Sequence, residues 1–141
     1  MIKWDDAYAI GDPSIDNQHK MLFQYVNDLE TAVKDKGVNH SLILRVLEFF
    51  EDYAKMHFGM EETCMYRYKC PIANTNKLAH QHFIDAYENY RILLNKEGAS
   101  IELFDTMLTW TQQWLLNHIC KIDAQLRPHL TSPPQEKESA P

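Results

Sequence analysis

The stretch His57-Phe58-Gly59-Met60-Glu61-Glu62 decides the fold class and marks the functional site of this chain. Residues four apart on a helix lie one above the other, so His57 and Glu61 share one helical face. Upstream, that face continues as an apolar stripe formed by Ile43, Val46, Phe50, Tyr53 and Ala54. A histidine and a glutamate are therefore directed at a hydrophobic core, where burial without partners is costly. The sequence predicts that both groups are paired with other polar side chains or bound to a metal.

Length and composition favour a single helical domain. The chain has 141 residues, of which 45 % are hydrophobic and 24 % charged, and only four are glycine. These values are typical of one globular domain and favour long helices over a turn-rich β architecture. The net charge of −6 argues against nucleic acid or an anionic membrane as the main partner. No apolar run approaches the roughly 20 residues that span a bilayer, so no membrane partner is expected.

Cysteine usage indicates a reducing compartment. The three cysteines are Cys64, Cys70 and Cys120, and the N-terminal residues 1–6 carry no signal-peptide pattern. An odd number of cysteines without a secretory signal predicts free thiols and a cytoplasmic location. A redox disulfide between Cys64 and Cys70 is the alternative. The simpler interpretation is that the cysteines act as small buried or half-buried hydrophobic residues.

Apolar periodicity predicts four helices after an irregular arm. The arm covers residues 1–15, with Trp4, Tyr8 and Ile10 as anchors. The helices are predicted from about Asn17 to Lys36 with caps at Asp16 and Gly37, from about Ser41, a candidate cap, to Tyr66, from Ala73 to Asn95, and from the cap Ser100 to about Cys120. We therefore predict an all-α fold, an antiparallel up-down four-helix bundle over residues 1–130. Residues 131–141 lack apolar periodicity and are predicted to be a disordered tail.

Each predicted helix carries a candidate metal ligand on its apolar stripe. The set comprises His19, His57, Glu61, His80, His118 and Asp123. A single histidine on an apolar face is usually a core residue with its own hydrogen-bond partner. One on each of four helices would need four unrelated partners, whereas a metal cluster satisfies all of them. Imidazoles mixed with two carboxylates suit two iron ions held side by side.

Three motifs carry a resemblance to a known family over about residues 4–125. They are Trp4 with Gly11 and the segment 15–20, the segment 57–62, and the segment 114–119 with Asp123. In order and spacing this set resembles the single-domain bacterial hemerythrins. The resemblance implies a non-haem di-iron centre that binds dioxygen reversibly. Its two iron ions would share carboxylate bridges and an oxo or hydroxo bridge.

The resemblance also implies a role for each candidate ligand. His19 and His57 correspond to the two histidines of one iron, and Glu61 and Asp123 correspond to the carboxylate bridges. The other iron takes three histidines in the family, and His80 and His118 correspond to two of them.

The third helix departs from the family pattern at Asn76. The family has a His-x-x-x-His pair here, and Asn76 stands at the first histidine position, one turn before His80. His82 does not replace it, because two residues along a helix correspond to about 200° of rotation. We therefore expect His82 at the surface, together with His40 and His129. Three outcomes remain open at Asn76: weak ligation through its amide oxygen, a water in the gap, or poor binding of that iron.

Apolar residues one turn from the ligands are candidates for an oxygen pocket. They are Leu22, Phe58, Phe83, Trp114, Leu115 and Ile119, and each is also interpretable as a core residue. Ligand histidines normally donate their second N–H to a neighbouring acceptor. The candidates are backbone carbonyls, Gln18, Glu62 and Tyr53, among which the sequence does not choose.

The leading functional prediction is a protein that binds dioxygen for storage, transport or sensing, as a monomer or weak homo-oligomer. An alternative is an oxidase, peroxidase-like or nitric-oxide-handling enzyme that uses the extra open iron position near Asn76. A third interpretation is a binding module with a vestigial site. A ferroxidase is disfavoured, because two bridging carboxylates are few beside the four-glutamate sites of ferritin-like bundles.

Overall fold

The computed structural model describes residues 2–119 and Pro128, and four helices account for most of this part. Helix α1 spans Pro13–Lys36, α2 spans His40–Arg67, α3 spans Ala73–Glu97 and α4 spans Ile101–Asn117. No strand occurs among the described residues, which confirms the predicted all-α class. None of these helices has both the length and the apolar character needed to cross a membrane. Cys120 and the predicted tail, residues 131–141, lie outside the described residues.

Contacts between neighbouring helices show that they alternate in direction. Between α1 and α2, the Tyr53 hydroxyl donates to the carbonyl of Gln18, and further along Tyr25 stacks on Phe49. Numbers therefore rise along α1 as they fall along α2, which makes this pair antiparallel. The cross-contacts between α2 and α3 and between α3 and α4 show the same reversal.

Polar contacts on the outside close the bundle around an apolar core. Arg91 of α3 makes a two-point ion pair with Glu51 of α2 at 3.2 and 2.8 Å. On the opposite side, the Gln112 amide of α4 donates to the Glu30 carboxylate of α1. All four helices contribute buried apolar side chains, and the largest of these include Tyr87, Phe50, Phe104, Ile43, Leu47 and Met107.

The predicted start of the first helix is wrong. Helix α1 begins at Pro13 rather than near Asn17, and Asp12 caps it by accepting two backbone N–H groups of the first turn at 2.9 and 3.1 Å. Proline suits this first position because its missing N–H would have no helical partner there. Asp16, the predicted cap, instead accepts the backbone N–H groups of Ile10 and the next residue. It therefore fastens the N-terminal arm to α1.

The predicted start of the second helix is also displaced. Asn39, not Ser41, caps α2, and its side chain accepts the N–H of Leu42 at 2.8 Å. The predicted caps at the end of α1 and the start of α4 are confirmed. Gly37 adopts φ 73°, a conformation that glycine tolerates without strain, and the Ser100 side chain accepts a backbone N–H of α4 at 3.0 Å.

The N-terminal arm packs against α1 through its predicted anchors. Ile10 is fully buried. The Trp4 ring packs edge-on against Phe23 and Tyr8, with ring centres 5.6 and 5.7 Å apart. The arm therefore runs along α1 and covers one side of the bundle there.

Candidate metal centre

Five of the six candidate ligands meet at the end of the bundle where α1 and α3 begin. They are His19 on α1, His57 and Glu61 on α2, His80 on α3, and His118 directly after α4. None of these side chains is more than 3 % exposed. Asp123, the sixth, lies outside the described residues.

Glu61 lies between two pairs of imidazoles. Its Oε2 is 3.5 Å from His19 Nε2 and 3.4 Å from His57 Nε2. Its Oε1 is 2.9 Å from His80 Nε2 and 3.2 Å from His118 Nε2. Each carboxylate oxygen therefore faces one histidine pair, and the two three-residue groups that could hold a metal share Glu61.

Hydrogen bonds on the outer side of two rings set the tautomers in the centre. His57 Nδ1 contacts Gln18 Oε1, and His80 Nδ1 is 2.8 Å from Glu62 Oε2. Because amide and carboxylate oxygens only accept, both Nδ1 atoms carry the proton and donate it. In the neutral rings the Nε2 lone pairs then point into the centre, as in metal-binding histidines.

The facing nitrogen atoms of each histidine pair can either share a proton or bind a cation. The Nε2 atoms are 3.1 Å apart between His19 and His57, and 3.0 Å apart between His80 and His118. Two lone pairs at this separation repel each other unless a proton or a cation lies near both. A metal ion on each side of the central carboxylate would satisfy both pairs.

Glu61 remains ionised in its buried position. Burial by itself raises the pKa of Glu61, but hydrogen bonds from His118, His19, His57 and His80 outweigh burial and hold that pKa well below its usual range, which requires protons on some of the Nε2 atoms when no cation is bound. A carboxylate enclosed by neutral imidazoles is a site of negative charge in a low-dielectric interior. Such a charge requires neutralisation by protons on the histidines or by a bound cation.

Asn76 brings an amide group into the same centre. It is fully buried on α3, and its Nδ2 donates to Glu61 Oε1 at 2.9 Å and to Met65 Sδ at 3.1 Å. Its Oδ1 is buried and has no hydrogen-bond partner in the described part of the chain. Leaving a buried carbonyl unsatisfied costs about 1–3 kcal/mol. We therefore expect a water molecule or a cation to bind this oxygen.

The other histidines and the cysteines lie outside this cluster. His82 and His40 are exposed, as predicted, and His129 lies outside the described residues. No disulfide joins Cys64 to Cys70, which agrees with the prediction of reduced cysteines. Cys64 is half-buried one turn beyond the central glutamate, and burial, with smaller contributions from neighbouring acidic groups, raises the pKa of its thiol to about 11.

A small apolar cavity adjoins the centre beside His57. Its volume, about 10 Å³ for the centre of a water-sized sphere, is close to the minimum for one water molecule. Five of the six predicted pocket residues line it: Leu22, Phe58, Phe83, Trp114 and Leu115. Ile119 is buried but is not part of this lining.

The sequence interpretation missed three residues of this lining: Phe50, Tyr53 and Ala54. All three belong to the apolar stripe of α2 that leads to His57, and that stripe was the signal that could have identified them.

Aromatic rings cover the His80–His118 side of the centre. Phe58 stacks on His80 with ring centres 3.8 Å apart and planes 3° from parallel. Trp114 stacks on His118 at 4.3 Å and 12°. These contacts restrict the rotation of both imidazoles and limit the access of water from that side.

Comparisons of sequence and structure with known proteins agree with one another. A family model described as the hemerythrin HHE cation binding domain matches residues 11–130. A bacteriohemerythrin of Pseudomonas aeruginosa is 33% identical over 121 residues, which cover 86% of this chain and 76% of that protein. A bacteriohemerythrin of Stenotrophomonas maltophilia is 28% identical over an alignment of 143 positions, covering 99% and 90% of the two chains.

The structural comparison agrees. A crystal structure described as wild-type hemerythrin matches with a TM-score of 0.79 at 28% identity, covering 94% of this chain and 99% of that one.

Proposed function

The chain belongs to the hemerythrin family, and we propose on this basis that it binds dioxygen reversibly at two non-haem iron ions. The proposed ligands are His19 and His57 for one iron, His80 and His118 for the other, and Glu61 and Asp123 as bridges between them. The observation that carries the proposal is the position of Glu61. Each of its oxygens faces one histidine pair, which is the arrangement that a carboxylate bridge between two cations requires.

The iron pair would supply the redox chemistry of dioxygen binding, and the surrounding residues orient the ligands. Gln18 and Glu62 accept the outer N–H groups of His57 and His80. Such partners fix ring orientation and raise the basicity of the inner nitrogen. Glu62 carries a negative charge and Gln18 does not. In this proposal the Nε2 atom of His80 therefore donates its electron pair to iron more strongly than that of His57 does.

The apolar cavity beside His57 suits a small uncharged ligand. Its lining is formed almost entirely by aliphatic and aromatic side chains, and its size suits only a ligand of very few atoms. A dry pocket of this kind excludes water and protons, which slows the loss of a bound oxygen molecule as peroxide. These features support reversible binding over turnover.

One observation favours an enzymatic alternative. The unpartnered Oδ1 of Asn76 lies next to the Glu61 carboxylate. An amide oxygen is a weaker ligand for iron than an imidazole, so the iron held by His80 and His118 would keep an exchangeable position. In this alternative the protein is an oxidase, peroxidase-like or nitric-oxide-handling enzyme.

Iron content and optical spectra test the proposal. The purified chain is assayed for iron, reduced, and its visible spectrum recorded before and after several cycles of air and argon. We expect about two iron ions per chain by the family's chemistry and an absorption band that appears and disappears reversibly. Irreversible conversion to the ferric form with release of peroxide would support the enzymatic alternative. Absence of iron would support a vestigial site and contradict both.

A matched pair of variants links these results to the centre. Glu61→Gln keeps the shape of the central side chain but removes its charge, and we expect iron affinity to fall by at least about tenfold. His82→Gln changes an exposed histidine on the same bundle and should leave the iron content unchanged.

A further inference from the structure

A solvent-facing methionine is connected to the centre through a single amide group. Met60 is 41 % exposed, and its sulfur accepts a hydrogen bond from Gln18 Nε2 at 3.0 Å. The other end of the same amide, Gln18 Oε1, accepts the Nδ1 proton of His57. The Tyr53 hydroxyl holds the Gln18 backbone by donating to its carbonyl at 2.9 Å. We call this connection the Met60–Gln18–His57 relay.

We propose that Met60 is an oxidation site through which hydrogen peroxide changes the hydrogen bonding of His57. The sulfur attacks one peroxide oxygen, an S–O bond forms and the O–O bond breaks. The second oxygen leaves as water after taking up the proton that the sulfur-bound oxygen loses. The thioether is thereby oxidised by two electrons to a sulfoxide, and peroxide is reduced by two electrons. Methionine sulfoxide is reversible by reductases, so such a site can act as a switch.

Oxidation alters the acceptor that Gln18 contacts. A thioether sulfur is a weak hydrogen-bond acceptor, whereas a sulfoxide oxygen is strong and lies one bond further from the methionine chain. The Gln18 amide must reorient to follow that oxygen, because Tyr53 holds its backbone in place. Reorientation of the amide displaces Oε1 from His57 Nδ1. The histidine ring then loses the partner that sets its tautomer and orientation.

Two more exposed methionines provide a contrast. Met21 and Met56 are 61 % and 56 % exposed, so peroxide reaches them at least as easily as Met60. Neither has a hydrogen bond to a side chain of the centre within the described residues. Met56 lies one turn before Met60 on the same face of α2, which makes it a matched control. Exposure alone therefore does not distinguish Met60, but its contact with Gln18 does.

The effect on iron rests on the proposed function, whereas the oxidation and the response of the His57 ring do not. The experiment therefore has one arm without iron and one with iron. In the first arm, iron-free protein is treated with limiting hydrogen peroxide. Peptide mass mapping then locates each added oxygen and shows whether the cysteines are oxidised. Nitrogen-15 NMR of labelled histidine rings follows His57 Nδ1.

We expect the His57 signal to shift on oxidation in the parent protein and in Met56→Leu, but not in Met60→Leu. Treatment with methionine sulfoxide reductase should restore the original signal. An unchanged His57 signal in protein whose Met60 is oxidised would overturn the proposal. So would a Met60 that stays unoxidised while Met56 is fully converted.

In the second arm, iron-loaded protein is transferred to a chelator before and after oxidation. Loss of the partner of a ligand histidine weakens metal affinity by roughly 10–100-fold, so release should accelerate by about tenfold or more. Met60→Leu should abolish the acceleration and Met56→Leu should retain it. Equal acceleration in both variants would contradict the link to the centre. If iron does not bind at all, the proposed function fails while the first arm still decides whether the relay exists.

Discussion

Among single residues, Asn76 is the one on which the chemistry of the proposed iron centre depends most. Its Nδ2 donates to Glu61 Oε1, while its own oxygen has no partner in the described part of the chain. An imidazole at this position, one turn before His80, would add a third nitrogen donor to the proposed iron at His80 and His118. It would also close the exchangeable position of that iron. The present amide therefore favours a looser site.

Asn76→His tests this reasoning directly. With the open position closed, we expect slower autoxidation, so reversible dioxygen binding should last longer in the variant than in the parent. The decay of the visible band in air measures this lifetime, with Asn74→His, an exposed position on the same helix, as the control. The hypothesis is wrong if the bound form in Asn76→His is no longer-lived than in the parent.

Cys64 offers a test of how buried its surroundings are. Burial raises the pKa of the Cys64 thiol to about 11, so at neutral pH almost all of it is the unreactive protonated form. Alkylation of Cys64 by iodoacetamide should be slow at pH 7 and accelerate about tenfold per pH unit up to roughly pH 10, since the thiolate is the nucleophile. Peptide-resolved mass spectrometry measures the rate. Rapid, pH-independent labelling would show that the thiol is not held in this environment.

The partners of the ligand histidines show what sequence alone provides at this scale. Gln18, Glu62 and Tyr53 were all predicted as candidates because each is near a candidate ligand in the chain. The structure pairs Gln18 with His57 and Glu62 with His80. Both hydrogen bonds cross between helices, and their choice depends on helix rotation and separation, which periodicity does not define. Tyr53 donates to a backbone carbonyl rather than to a histidine. This choice also depends on helix rotation and separation.

At the scale of the helices, the interiors and most ends were predictable and two starts were not. Apolar spacing identified all four segments because burial of one face dominates helix stability. The starts of α1 and α2 were displaced because several capping residues occur close together: Asp12 and Asp16, and then Asn39 and Ser41. The structure selects the earlier residue of each pair. For α1, Pro13 was the signal for the earlier start.

The second pair provides a matched test of capping. Asn39 accepts the Leu42 N–H, and loss of an N-cap costs about 1 kcal/mol. We therefore expect Asn39→Ala to lower the free energy of unfolding by roughly that amount. Ser41→Ala, inside the helix at an exposed position, should be nearly neutral. Urea denaturation followed by circular dichroism measures both. If Ser41→Ala lowered the free energy of unfolding more than Asn39→Ala does, Ser41 would be the cap, as the sequence predicted.

At the scale of the whole molecule, the bundle places its buried histidines and Glu61 at one end and a largely apolar core along the rest. The alternation of helix direction was predictable from the short connections, and it brings the starts of α1 and α3 beside the ends of α2 and α4. His19 and His80 near those starts therefore meet His57, Glu61 and His118 near those ends. The separation of the histidines into two pairs around one carboxylate was not predictable from spacing. It depends on the side-chain rotamers and on the partners that orient each ring.

In the proposed iron-loaded form, this arrangement should make the stability of the protein depend on pH. A ligand that binds only the folded state at 100 times its dissociation constant stabilises it by about 2.7 kcal/mol. Imidazoles bind iron only in their neutral form, so protons compete with the metal as the pH falls from about 7 to 5. Glu61 does not set this window. Its pKa is held well below the usual range, so its contribution to stability is lost only when the pH falls through that lower value. A loss of iron-dependent stability in this window would therefore come from ligands other than Glu61.

We expect the difference in melting temperature between iron-loaded and iron-free protein to shrink steadily from pH 7 to pH 5. Scanning calorimetry of both forms at matched ionic strength measures it, with iron content checked after each scan. His82→Gln removes an exposed histidine and should leave the profile unchanged, whereas Glu61→Gln should show weaker iron-dependent stabilisation than the parent at each pH. If the parent keeps its full iron-dependent stabilisation at pH 5, the bound ion is not held mainly by imidazoles. The carboxylates would then have to be the dominant ligands, against the four converging Nε2 atoms of the centre.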